Sequence, residues 1–127
     1  METIHDFIGH HLIANYSGCD YDALTNLEGL RDALCRGIAA TGATILSANE
    51  HVFDGNGFTM MFLLSESHAS IHTYPEYASC FIDIFTCGLE CKPEEFGRVM
   101  EEYLCPTNSS KKMLVRDEGI KKISACL

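Results

Sequence analysis

The spacing of apolar residues changes several times along the chain, and each change marks an element. Leu12, Ala14 and Tyr16 give residues 11–16 the look of a first strand, closed by Ser17-Gly18. Leu27, Leu30, Leu34 and Ile38 then recur at helical intervals, and Thr25-Asn-Leu-Glu28 has the spacing of a capping box, so a helix begins there. Gly42 is placed to end it, because glycine accepts the left-handed conformation of a helix C-terminus. Residues 43–47 read as a second strand. Asp54-Gly-Asn-Gly57 is a strong turn signal, and a strand over 58–64 follows. Residues 71–74 form a short extended piece stopped by Pro75, and 80–86 form another strand. Pro93 suits the first turn of a second helix, whose apolar face is Phe96, Val99, Met100, Tyr103 and Leu104. Residues 111–115 and 120–125 complete the pattern as weaker strands.

Two of these strands are apolar on both faces. In 58–64, Phe58, Met60, Phe62 and Leu64 share one face while Met61 and Leu63 share the other. In 80–86, Ile82 and Ile84 oppose Phe81 and Phe85. A sheet with one wet face alternates polar and apolar residues, so this sheet is expected to be covered on both sides. Two helices suffice for one side, and no remaining segment can cover the other. The pattern therefore predicts an α+β two-layer sandwich, with two helices on one face of an antiparallel sheet, that forms a homodimer through the other face.

At 127 residues the chain fits one domain, 1–127, with a core large enough to need no disulfide. The formal net charge of -9 excludes nucleic acid as a partner, since Lys111-Lys112 and Lys121-Lys122 are too short to form a phosphate-binding patch. No apolar run is long enough to span a membrane. The first residues lack the basic and apolar regions of a signal peptide. Seven cysteines without a C-x-x-C pair then suggest a cytoplasmic protein with reduced thiols, most of them small buried hydrophobes.

The most unusual stretch is Leu63-Leu-Ser-Glu-Ser-His-Ala-Ser-Ile-His-Thr-Tyr-Pro-Glu76, where reactive side chains crowd the end of an apolar strand. Glu66-Ser67 sets a hydroxyl directly after a peptide carbonyl. A serine held in a strained turn can attack that carbonyl and exchange amide for ester, given a proton-transfer group and a donor for the oxyanion. His72 is close enough in sequence to reach back across a turn. Thr59 lies eight residues before Ser67, on the same face if the strand stays regular. Serine beside histidine is a common pairing, and residue types alone favour a structural cluster.

The run Glu66-Ser67-His68-x-x-Ile71-His72-Thr73-Tyr74-Pro75-Glu76, with Asp83-x-Phe85-Thr86-Cys87-Gly88 after it, resembles the signature of the prokaryotic S-adenosylmethionine decarboxylase proenzymes. His11-Leu-Ile-x-x-x-Ser-Gly-Cys-Asp20 is similar to the family's first strand, and the likeness spans about residues 9–105. The resemblance implies a self-cleaving, pyruvoyl-dependent enzyme of spermidine synthesis. Ser67 would attack the Glu66 carbonyl. Elimination and hydrolysis with loss of ammonia would then yield a β chain, 1–66, and an α chain, 67–127, capped by a pyruvoyl group. That group would form a Schiff base with S-adenosylmethionine and accept electrons as carbon dioxide leaves, the role pyridoxal phosphate plays elsewhere. By the same resemblance His72 moves protons during processing, supported by Thr59 in place of a family serine. Cys87 is the acid that reprotonates the product, with a thiol pKa that neighbours can tune. The resemblance also implies substrate contacts at Phe53, as an adenine platform, and at Glu76, with Tyr74 at the start of the same pocket. The family's active site lies at the dimer interface, and no metal is required.

Other readings stay open on the residues alone. The same chemistry would serve an arginine or ornithine decarboxylase, and 54–59 and 79–82 depart from the family pattern. His68, His72, Cys80, Cys87 and Cys91 are ligand types that a zinc-binding module uses, although their spacing matches no known finger. A non-processing relative is a further alternative. Cys80, Cys91 and Cys105 read as structural, Phe53 is as readily core as platform, and His10-His11 reads as a solvated strand start.

Overall fold

A computed structural model describes residues 8–65, 67–88 and 90–117. Its elements run β1 (Gly9–Ser17), α1 (Tyr21–Thr25), α2 (Leu27–Thr41), β2 (Ile45–Val52), β3 (Phe58–Leu64), β4 (His68–Tyr74), a 3₁₀ turn (Pro75–Tyr77), β5 (Ser79–Cys87), α3 (Glu94–Leu104) and β6 (Asn108–Arg116). The six strands form one sheet in the order β2-β3-β4-β5-β1-β6, every neighbouring pair antiparallel. The α2 and α3 helices lie on one face, which makes the two-layer α+β sandwich that the pattern predicts. The strand expected over 120–125 lies outside the described residues.

The core forms where the apolar sheet face meets the helices. Leu12, Phe58, Phe62, Ile71, Ile82 and Ile84 from the strands pack with Leu30, Leu34, Ile38, Phe96, Met100 and Leu104 from α2 and α3, and all are buried. Burying such side chains stabilises by roughly 1.5–3 kcal/mol each before entropy is counted. Gly37 lets the helices approach, since a Cβ there would stand 2.9 Å from Phe96 Cδ1.

Local chemistry corrects the helix start. The cap of α2 is Asn26 rather than Thr25: its side chain accepts from the Gly29 N–H at 3.1 Å. Thr25 instead ends the short α1, which Asp20 caps by accepting from the Ala23 N–H at 3.0 Å. Gly42 ends α2 with φ 93°, as its position suggested. The short extended piece at 71–74 is the last part of β4, which begins three residues earlier.

Among the described residues, the sheet's second face carries no helix. Ile13, Met61, Leu63, Tyr74, Phe81 and Leu114 are exposed there, and they share the face with the half-buried Thr59, His68, His72, Asp83 and His11 and with the buried Ser70. No helix among the described residues is long and apolar enough to cross a membrane.

Candidate active site

The chain reverses between β3 and β4. The Leu64 N–H donates to the Ser67 carbonyl at 2.9 Å and closes the hairpin, and the Ser65 N–H donates to the Thr44 carbonyl at 2.9 Å. Ser67 therefore sits at the hairpin end, immediately before β4. At the same sheet end β5 finishes with Cys87, and the Ser67 hydroxyl donates to the Cys87 sulfur at 3.7 Å. Both residues are half-buried. Glu66, the other side of the expected scissile bond, lies outside the described residues.

The remaining candidates gather at the far end of the sheet. Thr59 and His72 are direct cross-strand partners on β3 and β4, with Thr59 Oγ1 at 3.1 Å from His72 Nδ1. A cleft of about 710 Å³ opens beside them, lined by Phe53, Asp54, Gly55, Gly57, Thr59, His72, Thr73, Tyr74 and Glu76. That volume suits a small ligand. Phe53 is not core: it is 51% exposed, with its ring edge-on to His51 at 4.5 Å. Tyr74 packs on Phe81 at 5.3 Å.

Two expectations about reach are thereby corrected. His72 does not turn back to Ser67 within the chain, because β4 is extended from its first residue. At about 3.3 Å per residue the two lie roughly 16 Å apart along the strand. Nor does the same-face count from Thr59 to Ser67 apply, since the strand ends at Leu64 and the chain turns. One chain thus presents two half-sites on one open face, Ser67 with Cys87 at one end and Thr59, His72 and the cleft at the other.

Between them lies a cluster that sequence reasoning missed. Asp83 Oδ2 is 2.8 Å from His11 Nε2 and 3.3 Å from His68 Nε2, and the Ser70 hydroxyl donates to Asp83 Oδ1. His11 is not a solvated strand start, for its side chain is only 15% exposed. Burial alone would raise the Asp83 pKa, but hydrogen bonds from Ser70, His11 and His68 outweigh it and hold the carboxyl below its ordinary range. The signal was present: Asp83 is the one carboxylate inside the apolar run 80–86.

These three are also the ligand-type side chains that converge among the described residues, rather than the set the zinc-module alternative required. Cys80 is buried on the helix side, and His68 and His72 stand on one strand face roughly 13 Å apart. Arg116 Nη1 lies 3.5 Å from His11 Nδ1.

A sandwich that presents a serine–thiol pair beside a hairpin turn, and a hydroxyl–imidazole pair beside an aromatic and acidic cleft, is an enzyme scaffold. The S-adenosylmethionine decarboxylase family profile matches residues 10–117, and the chain belongs to that family. The S-adenosylmethionine decarboxylase proenzyme of Methanococcus maripaludis is 35% identical over 119 residues, which is 91% of this chain and 98% of the relative. That of Brevibacillus brevis is 37% identical over 111 residues, covering 87% and 84%. The crystal structure of the adenosylmethionine decarboxylase from Aquifex aeolicus is similar with TM-score 0.80 and 29% identity, covering 93% of this chain and 96% of that one.

Proposed function

We propose that this protein is a self-processing S-adenosylmethionine decarboxylase that supplies the aminopropyl donor for spermidine synthesis in the cytoplasm. Family membership supports the class. The observation that carries the mechanism is the Ser67–Cys87 pair, two residues 20 apart in sequence brought into contact at one turn.

In this reading Ser67 attacks the Glu66 carbonyl, and the bond between them breaks to give chains 1–66 and 67–127. The residues around Ser67 fit a pyruvoyl group: the turn holds residue 67 at the rim of the open face, and its side-chain neighbour is a thiol that can donate a proton. The pyruvoyl group supplies the electron sink that accepts the pair released when carbon dioxide leaves. Cys87 holds the proton that is returned to the product. His72, its Nδ1 fixed against the Thr59 hydroxyl, moves protons during processing. Phe53 offers its exposed ring to the adenine, and Tyr74 and Glu76 bind the rest of the substrate in the cleft.

Proton transfer needs contact of about 2.6–3.2 Å, so the two half-sites must meet. A two-fold axis parallel to the sheet would lay one open face on another and bring the Ser67 end of one chain over the His72 end of its partner. The apolar residues exposed on that face would be covered in the same step. The functional unit is accordingly a homodimer whose sites are shared.

Denaturing mass spectrometry of the purified protein tests the reading. Two chains split between residues 66 and 67 are expected, the second reactive toward hydroxylamine, with carbon dioxide released from S-adenosylmethionine. A single intact chain would remove the enzymatic reading, and release from arginine or ornithine alone would remove the substrate.

A further inference from the structure

The Asp83 cluster includes His68, the residue that follows Ser67, and the proposed chemistry does not use it. Its geometry is nevertheless directed at one residue. Asp83 is fixed from two sides, by His11 on β1 at 2.8 Å and by Ser70 on β4. The ring of Phe85 supports the imidazoles, with centroids 5.5 Å from His11 and 6.0 Å from His68. Arg116 stacks over the same ring at 5.0 Å. The third contact of Asp83 is with His68, whose side chain is 44% exposed and also meets the His11 ring edge-on at 5.9 Å. The carboxyl is held below its ordinary range, so it carries its charge at neutral pH.

His68 is the residue to which position 67 is peptide-bonded. Before a cut at 66–67, the hairpin restrains residue 67 from both sides. After the cut the covalent restraint on its N-terminal side is gone, and residue 67 keeps its peptide bond to His68 and the hydrogen bond that its carbonyl accepts from the Leu64 N–H at 2.9 Å. Resting on the proposed self-cleavage, we propose that the Asp83–His68 contact, stiffened by His11 and Ser70, anchors the new chain end and fixes the plane of the amide that bears the pyruvoyl group. Asp83, His11 and His68 are positioning residues on this account. A cluster that only strengthened the fold would matter equally before and after the cut. An anchor matters after it, when the covalent restraint is gone.

Hydrogen exchange, read by mass spectrometry on peptides spanning 68–70, separates the two. The experiment compares the cut protein with the uncut Ser67→Ala chain, each with and without Asp83→Asn. Loss of one charge-assisted hydrogen bond is expected to speed exchange at 68–70 about tenfold in the cut protein. In the uncut chain little change is expected. Equal acceleration in both, or none in either, would overturn the anchor and leave self-cleavage standing. A folded Asp83→Asn chain that never cuts would also overturn it, because the cluster would then act before the cut. A wild-type chain that stays intact would remove the self-cleavage and the anchor together. Should Asp83→Asn fail to fold, His68→Leu removes the same contact at its exposed end and is read at 69–70.

Discussion

On the proposed shared site a chain borrows His72 from its partner and cannot process itself alone, and complementation between two defective chains tests this directly. One chain carries Ser67→Ala and keeps His72. The other carries His72→Ala and keeps Ser67. Ser67 and His72 stand roughly 16 Å apart along β4, against the 2.6–3.2 Å that proton transfer needs, so neither chain can supply its own missing group. Each homodimer is defective in both sites. Random pairing of equal amounts makes about half the dimers mixed, and in each mixed dimer one of the two shared sites is complete. The chain cut there is the one that retains Ser67. About half of the His72→Ala chains, or roughly a quarter of all chains, should therefore be cleaved after co-expression. Denaturing mass spectrometry reads the fraction, since the two substitutions give the parent chains different masses. His72→Ala alone should process more slowly than wild type by about 10²–10⁴-fold. A mixture that cuts no faster than its separate parents would refute the shared site, as would a homodimeric His72→Ala protein that processes normally.

Three further outcomes can be checked on purified protein. Cys87→Ala should still cleave but turn over about 10²–10⁴-fold more slowly per cut chain, and normal turnover in a decarboxylation assay would remove its role as the acid. Gly9→Ala sets a Cβ 2.3 Å from Phe85 Cε1, so the ring must move. A loss of about 1–3 kcal/mol is expected in urea titration, and an unchanged midpoint would mean that the ring shifts freely. The depressed Asp83 pKa makes stability present above the unfolded value, about 3.9, and lost as pH falls through the lower folded value. The stability gap between wild type and Asp83→Asn should thus hold from about pH 7 to 5 and shrink below about pH 4. A gap that widens on acidification would contradict the assignment.

Much of the fold was legible because burial writes a period into the chain. The strand at 58–64 and the helix at 27–41 bury one regular face each, and both stand where their spacing placed them. The parts that were not legible lack that imprint. Every residue of the edge strand β2 is exposed, so 45–52 shows no alternation and its length was underestimated. The five-residue α1 is too short to display a helical period. Thr25 and Asn26 are both capping types, and only geometry decides that Asn26 caps α2 and closes α1 as well. In the candidate site, the positions of the residues relative to one another were not readable. Ser67 and His72, neighbours in sequence, stand at opposite ends of a strand, while Ser67 and Cys87 meet across 20 residues.

On the proposed self-cleavage, that separation governs how a pyruvoyl group would come to exist. Even a helix through 67–72 would set serine and histidine about 140° apart around its axis, since only residues three or four apart share a helix face. An extended strand keeps them apart by roughly 16 Å however well the chain folds. On the proposed reading, folding alone yields a stable precursor, and the act that covers Ile13, Met61, Phe81 and Leu114 is the act that delivers His72 to Ser67. Assembly and activation then share one driving force, the burial of the open sheet face. Substitutions that weaken this face without touching either half-site, such as Met61→Glu, should leave an intact, folded monomer rather than an inactive dimer.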